Sequence, residues 1–126
     1  MRDIKKTVCY QWFHEVWNKG NKEAIDQLMW EHGNARDLPG GDEQGSEGFK
    51  KFYDGFTSQF KDIEIDVLDV VSQDDMECAH TMVKAKHIAS GKEVNFGGMC
   101  RVRIKDGKIE EAWNNYDFNA MENQLA

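Results

Sequence analysis

The spacing of apolar residues changes once along this chain, near residue 60, and this change constrains the fold more than any other feature. Before it, apolar residues recur every three or four positions, which is the spacing of one face of a helix. After it, Ile63, Ile65 and Val67 alternate with Glu64 and Asp66, which is the spacing of a half-buried strand. Helices followed by a run of strands are typical of an α+β domain.

Three helices are predicted in the first half of the chain. The first covers 3–18 and stops before Gly20, which suits the left-handed cap of a helix. The second covers about 22–30, and a short strand around 34–38 precedes a loop with the only proline. The third covers 46–60 and carries an aromatic stripe at helical spacing. This stripe consists of Phe49, Phe52, Tyr53, Phe56 and Phe60.

Four long strands joined by short turns are predicted in the second half, the last over 108–118, followed by a short C-terminal helix. Gly97-Gly98 lies inside the third of these strands and predicts a bulge or sharp bend. Bent strands make a curved sheet. We therefore predict a cone-shaped, antiparallel or mixed sheet wrapped around the N-terminal helices, enclosing a conical cavity.

Composition narrows the possible partners and surroundings. We expect a single domain over residues 1–126, because this length suits one domain. The net charge of −7 disfavours nucleic acid, and no apolar run is long enough for a membrane span. Three cysteines without close spacing indicate a reducing compartment, so we expect a cytoplasmic protein without a signal peptide.

Asp117 is the main candidate for chemistry. It ends the strand that starts at the Asp106-Gly107 turn. Simple alternation from Ile109 places it on one face with Trp113 and Asn115, and places Asn114 and Tyr116 on the other face. A carboxylate there can be an acid or base in a pocket. It can equally be only the N-cap of the following helix, a position that aspartate favours. The sequence leaves both open.

Several motifs in order resemble one family. They are Trp12 through Asn21, Asp37-Leu38-Pro39-Gly40 with Gly45 through Phe49, Phe60-Lys61-Asp62, Asp106 through Trp113 with Asp117, and Gln124-Leu125. Together they resemble the SnoaL-like polyketide cyclase (ester cyclase) group of the nuclear transport factor two-like superfamily. The resemblance implies the cone fold, and it implies that Asp117 stands at the family's acid/base aspartate for an intramolecular aldol closure. It also places His87 near the family's pocket histidine.

This resemblance sets the expected site. Burial of Asp117 among Trp113 and phenylalanines would raise the pKa of its carboxyl group and make it a better base. Arg36 stands where the family has a histidine before Asp37, which would make the pocket permanently cationic. We expect no metal and no cofactor. The expected ligand-binding residues are Trp12, Val16, Arg36, Tyr53, Phe56, Phe60, Trp113 and Asn115.

Two functions remain open on this evidence. One is an enzyme of the cyclase or isomerase kind that acts on a small apolar carbonyl compound, with Asp117 as acid/base and His87 beside it. The other is a non-catalytic domain that binds a small hydrophobic ligand in the same cavity. We expect a homodimer through the outer face of the sheet in either case. An Asp117 bonded only to backbone amides of the next helix would favour the second function.

Overall fold

The structure is a computed structural model that describes residues 3–38 and 43–126. The predicted loop over 39–42 lies outside the described residues. A 3-10 turn at Ile4–Lys6 precedes the first helix, and a π-helical segment, Phe13–Asn18, continues it. The helices are α1 Val8–Trp12, α2 Ala24–Leu28, α3 Gly45–Gln59 and α4 Phe118–Leu125. The strands are β1 Met29–Arg36, β2 Glu43–Gln44, β3 Phe60–Gln73, β4 Met76–His87, β5 Glu93–Lys105 and β6 Lys108–Tyr116.

The strands form one mixed sheet in the order β2-β1-β6-β5-β4-β3. Strands β3 to β6 are an antiparallel meander, and β1 lies parallel to β6. The predicted α+β fold with a curved sheet is confirmed. The second helix is shorter than predicted and ends at Leu28, because Met29 is already extended and pairs with Ile109 of β6. Pairing with a neighbouring strand has overridden the local helical pattern.

A buried carboxylate fixes α1 on the sheet. Glu77, on β4, accepts hydrogen bonds from the backbone N–H groups of Cys9 at 2.8 Å and Val8 at 3.3 Å. These N–H groups belong to the first turn of α1 and have no partner within the helix. The Thr7 side chain accepts from Tyr10 N–H and completes the cap. The helix therefore begins at a fixed point above β4.

Of the two features predicted at Gly97-Gly98, a bulge or a sharp bend, the bulge is wrong. The β4–β5 ladder runs through both residues, with Met82 opposite Gly97 and Thr81 opposite Gly98. Gly98 is needed for a different reason: a Cβ there would lie 2.6 Å from Cδ1 of Tyr116, closer than van der Waals contact allows. Its lack of a side chain lets β6 and the Tyr116 ring approach β5 closely.

The irregularity that matters most to the site lies at the start of β6. Ile109 pairs with Ile104, but Glu111 pairs with Arg103, so Glu110 is an extra residue in β6. One extra residue reverses the face that the following side chains occupy. Simple alternation from Ile109 is therefore wrong beyond this point.

The core lies between the inner face of the sheet and the helices. Buried side chains from β4 and β5 meet those of α1, the π-helical segment and α2, among them Val16, Ile25, Val94 and Val102. In the described part of the chain, no helix has the length and apolarity that crossing a membrane requires.

Candidate ligand pocket

A pocket opens between the inner face of the sheet, the first helix and α3. The pocket has a volume of about 60 Å³. The side chains that line it are predominantly aromatic and aliphatic. They are Trp12, Phe13, Trp17, Leu38, Phe49, Phe52, Phe56, Ile63, Ile65, Val83, Phe96, Asn114, Tyr116 and Phe118.

Trp17 organises the aromatic wall. Its ring makes edge contacts with Phe49 at 6.2 Å, Phe52 at 6.3 Å and Phe56 at 5.6 Å between ring centroids. These three residues recur along one face of α3, so the aromatic stripe predicted from sequence forms the wall. Edge-to-face packing of this kind stabilises rings beyond the area they bury. The wall is therefore built before any ligand arrives.

Two polar residues of β6 interrupt the apolar lining. The Asn114 side-chain amide donates to the Arg36 carbonyl oxygen at 3.0 Å. The Tyr116 hydroxyl forms a 2.6 Å hydrogen bond with the hydroxyl of Thr81, whose side chain is fully buried. Burial raises the pKa of the Tyr116 phenol, so the hydroxyl stays neutral. Asn114 and Tyr116 are the polar groups that a ligand would meet first.

Sequence reasoning missed both residues because of the extra residue in β6. The alternation assumed from Ile109 placed Asn114 and Tyr116 on the outer face. A useful signal was available in Gly98, opposite Tyr116 on β5. A glycine in the middle of a long strand indicates that another group approaches closely.

Asp117 does not lie in the pocket. Its side chain is exposed, and Oδ1 accepts a hydrogen bond from the backbone N–H of Ala120 at 2.9 Å, so it is the N-cap of α4. The prediction that Asp117 is buried among Trp113 and phenylalanines is wrong, because the strand ends at Tyr116 and the chain turns outward into α4. A carboxylate bonded to a backbone amide of the next helix is the arrangement that favours the non-catalytic function, and the catalytic role of Asp117 stays a prediction.

His87 is likewise outside the pocket lining. Its Nδ1 lies 2.8 Å from the Ser90 hydroxyl in the β4–β5 turn, and its ring lies 5.3 Å from that of Phe60. The structure does not bring His87 and Asp117 to a common point in the pocket.

The other predicted ligand-binding residues divide into two groups, and the first lies on or behind the aromatic wall. Trp12 and Phe56 line the pocket. Phe60 stacks on Phe56 at 4.7 Å from behind. Val16 is fully buried, and its carbonyl oxygen accepts a hydrogen bond from the Tyr53 hydroxyl at 3.2 Å. These last three residues support the wall without lining the pocket.

The second group lies on the outer face of the sheet. The Arg36 guanidinium bonds the Glu111 carboxylate at 2.6 Å, so a cationic pocket is not formed. The Trp113 ring lies under the Arg101 guanidinium at 4.5 Å, and Asn115 is exposed. The prediction that Arg36, Trp113 and Asn115 line the pocket is wrong, because the extra residue in β6 turns Trp113 and Asn115 outward.

Titratable groups of the core are not arranged as a metal site. In residues 3–38 and 43–126, no cluster of three or more His, Cys, Asp or Glu side chains could hold a metal ion. Cys9 and Cys100 are buried free thiols, and burial raises the pKa of Cys100 to about 12. A thiol in that state is an inert core residue.

Comparison with solved structures supports the fold. The chain is similar to a Bacillus cereus protein described provisionally as a polyketide cyclase, at 27% identity and a TM-score of 0.82, covering 94% of this chain and 77% of that one. It is similar to TsrD from Streptomyces laurentii, at 19% identity and a TM-score of 0.83, covering 94% and 92%. A Catenulispora acidiphila protein with a ketosteroid isomerase-like fold, solved with trimethylamine, has 12% identity and a TM-score of 0.85, covering 94% and 92%.

Sequence comparison identifies the family. Among curated proteins, no sequence matches this chain significantly. The family model for the SnoaL-like polyketide cyclase matches residues 7–125, nearly the whole chain. The aromatic pocket and the curved sheet described above lie within the matched region. This chain therefore belongs to the SnoaL-like polyketide cyclase family.

Proposed function

We propose that this protein binds a small apolar compound that carries a carbonyl group. The observation that carries the proposal is the pocket lining: aromatic and aliphatic side chains, interrupted on β6 by the neutral polar groups of Asn114 and Tyr116. Apolar walls with a few placed polar groups are typical of small-molecule sites.

The lining favours an uncharged ligand. Within residues 3–38 and 43–126, none of the residues that line the pocket carries a formal charge. A charged ligand would lose its hydration there without gaining an ion pair, which costs several kcal/mol. A ketone, aldehyde or ester needs only one or two hydrogen-bond donors.

The pocket size limits the ligand. The rings of Trp17, Phe52 and Phe56 are only partly buried, so a ligand placed against them completes their burial. The space of about 60 Å³ is smaller than the ~150 Å³ cavity that holds benzene, so even a single aromatic ring would extend into the mouth of the pocket, and a fused polycyclic compound fits less well.

Two adjacent residues of β4 provide a matched test. Val83 lines the pocket, whereas Met82 lies on the outer face and is 40% exposed. Binding of acetophenone is measured by quenching of tryptophan fluorescence and by backbone amide shifts in NMR spectra. We expect Val83→Phe to abolish binding by filling the pocket and Met82→Phe to leave it unchanged. Equal effects in two folded variants, or no binding by the wild-type protein, would contradict the proposal.

Catalysis by Asp117 is a second candidate, which rests on the family match and not on the position of its carboxylate in this structure. Tyr116 and Phe118 both line the pocket, and Asp117 stands between them. Rotation of its carboxylate away from the Ala120 N–H would be the step that brings it toward a ligand. Family membership suggests cyclase or isomerase chemistry, in which such a group would take a proton from the carbon next to a carbonyl.

Hydrogen exchange tests this second candidate without a known substrate. The methyl hydrogens of acetophenone are replaced by deuterium in D₂O when a base removes them, and proton NMR follows the loss. If Asp117 is the base, the wild-type protein accelerates the exchange and Asp117→Asn does not, although asparagine still caps α4. If the wild-type protein gives no acceleration while acetophenone binds, the binding function stands without turnover.

We also propose that two copies associate through the outer face of the sheet. Val71, Met82 and Met99 are 68%, 40% and 51% exposed on that face. Burial of such residues stabilises association. We expect Met99→Lys to shift the protein to a monomer in light-scattering measurements. The control is Ile88→Lys, because Ile88 is 49% exposed but lies in a turn. A monomeric wild-type protein would remove this proposal.

A cytoplasmic location completes the proposal. The three cysteines, Cys9, Cys78 and Cys100, are all free thiols, as is usual in a reducing compartment. Because two of these thiols are buried, cells are lysed directly into denaturant that contains an alkylating agent, and this treatment should give three modified thiols per chain. A disulfide recovered under those conditions would contradict this location.

A further inference from the structure

We infer that the Tyr116 hydroxyl donates the hydrogen bond that binds the ligand's carbonyl oxygen, and that Thr81 positions it. This inference rests on the proposed binding function and specifies which group recognises the carbonyl. Asn114, the other polar residue in the described part of the lining, uses one of its two amide hydrogens on the Arg36 carbonyl oxygen. Tyr116 is the better candidate because its hydroxyl is positioned by a buried partner, Thr81.

Three residues on adjacent strands form the positioning device. Thr81 of β4 is opposite Gly98 of β5, and Gly98 is opposite Tyr116 of β6. The Tyr116 ring lies over Gly98, where a Cβ would come within 2.6 Å of it, and reaches Thr81 two strands away. Contacts with Phe96 and Phe118, at 6.3 Å and 6.1 Å between centroids, hold the ring from the sides.

A count of hydrogens shows why this pair can accept a ligand. Each hydroxyl has one hydrogen to donate, and the pair therefore has two. Their mutual hydrogen bond uses one, and in the described part of the chain it is the only hydrogen bond of either hydroxyl. The second hydrogen has no protein acceptor, and leaving a buried donor unsatisfied is unfavourable. A ligand oxygen in the pocket would satisfy it.

A ligand in the pocket can reach the hydroxyl of Tyr116 but not that of Thr81, so the free hydrogen that binds it belongs to Tyr116. Tyr116 lines the pocket, whereas the Thr81 side chain is fully buried and is not part of the lining. When Thr81 donates to the Tyr116 oxygen, the phenol hydrogen is available to a ligand. Donation from Thr81 also polarises the phenol, which strengthens the bond that it makes next.

The ligand group that fits is a neutral acceptor. A ketone, aldehyde or ester oxygen accepts the hydrogen bond and has no hydrogen to donate. A hydroxyl group on the ligand would instead need a further acceptor in an apolar site. A carboxylate would lose its hydration in the pocket without a charged partner among the described residues of the lining.

The test uses two probes of nearly the same shape, acetophenone and ethylbenzene, which differ in the carbonyl oxygen. Dissociation constants are measured by NMR titration of the wild-type protein and of Tyr116→Phe. We expect Tyr116→Phe to weaken acetophenone binding about three- to tenfold, the range for one neutral hydrogen bond, and to leave ethylbenzene unchanged. Tyr53→Phe is the matched control, because the Tyr53 hydroxyl bonds the Val16 carbonyl oxygen inside the core and does not line the pocket.

Infrared spectroscopy adds a direct readout. The carbonyl stretch of acetophenone labelled with ¹³C at the carbonyl should fall below its frequency in a hydrocarbon solvent when bound to the wild-type protein. It should return to the hydrocarbon value in Tyr116→Phe. Thr81→Val should keep the affinity for acetophenone within about twofold, since Tyr116 retains its donor, but should reduce the frequency shift.

The outcomes separate the inference from the proposed function. If both probes bind and Tyr116→Phe leaves the acetophenone affinity and frequency unchanged, the role of Tyr116 is wrong and the pocket stands. If Thr81→Val alone abolishes the preference for acetophenone, the donor is Thr81 and the inference is overturned. If neither probe binds the wild-type protein, both proposals fail together.

Discussion

The two faces of the sheet place polar groups beside aromatic rings in opposite ways. On the outer face, the Trp113 ring lies under Arg101, and Arg103 contacts Glu111 at 3.7 Å, so the polar groups are charged and reach water. On the inner face, the Tyr116 ring packs among phenylalanines, and its polar partner is a neutral hydroxyl. The difference follows from access to water, because charges are stable beside rings only where hydration is retained.

The extra residue Glu110 determines which face of the sheet each later side chain of β6 occupies. Trp113 and Tyr116 are close in sequence, yet Trp113 lies outside and Tyr116 lines the pocket. The extra residue, Glu110, sets this assignment for the whole strand after it. The chemistry of the pocket therefore depends on strand register as much as on composition.

The largest loss of stability is expected at one of two adjacent glycines of β5, Gly98 on the inner face and Gly97 on the outer face. Gly98→Ala should lower the free energy of unfolding by about 1–3 kcal/mol, because its Cβ would overlap the backbone and ring of Tyr116. Gly97→Ala is the control: its Cβ would lie 3.3 Å from the flexible end of Met82 on the outer face, and its effect should be small. Urea unfolding measures both. Equal losses would show that the inner face is not the more tightly packed one.

Buried thiols should make the inner face sensitive to alkaline pH. The pKa of Cys100 is raised from 9.0 to about 12, so the unfolded thiol ionises while the folded one stays protonated. This contribution is fully present below about pH 9 and is lost as pH rises toward 12, by at most about 1.4 kcal/mol per pH unit. Urea unfolding between pH 8 and 11 should show a shallower decline for Cys100→Ala. Parallel curves for the two proteins would contradict this.

Asp117 follows the end of β6, and we expect it to stabilise the fold as the N-cap of α4. Asp117→Ala should cost about 1 kcal/mol, whereas Asp117→Asn should cost only a few tenths, since asparagine caps helices equally well. Thermal and urea unfolding measure the difference. A large loss in Asp117→Asn would indicate a role for its charge in the free protein.

The smallest effect is expected on the outer face. Glu111→Gln removes the carboxylate shared by Arg36 and Arg103, whose side chains are 41% and 44% exposed. We expect a loss of about 0.2–1 kcal/mol that disappears at high salt, because exposed ion pairs are screened. Unfolding at low and high salt measures it. A loss that salt does not change would show that this face is less hydrated than its exposure indicates.

The fold was predictable from sequence because its main signals are repeated. The change of apolar period at Phe60, the aromatic stripe of α3 and the Asp106-Gly107 turn each point to the same architecture. The aromatic stripe of α3 was visible in the same way, and Trp12 and Phe56 lie in the pocket lining, although their binding of a ligand stays a prediction.

The polar part of the site was not predictable in the same way. An extra residue in a strand leaves little trace in apolar spacing, so Asn114 and Tyr116 were assigned to the wrong face. The helix boundary at Met29 was missed because pairing with Ile109, 80 positions later, competes with local preference. Asp117 was open to two interpretations, and only the end of β6 shows that it caps α4.

Asn18 occupies part of the exposed edge of the sheet, where strands of other molecules could pair. Its side-chain amide takes both backbone groups of Ile65, donating to the carbonyl oxygen at 2.9 Å and accepting from the N–H at 2.6 Å. Since β3 is a border strand of fourteen residues, it would otherwise be a template for edge-to-edge growth. Any intruding chain that paired along this border would first have to expel Asn18. The Asn18 amide therefore disfavours the addition of a further strand, and with it fibre growth, at this edge of the sheet.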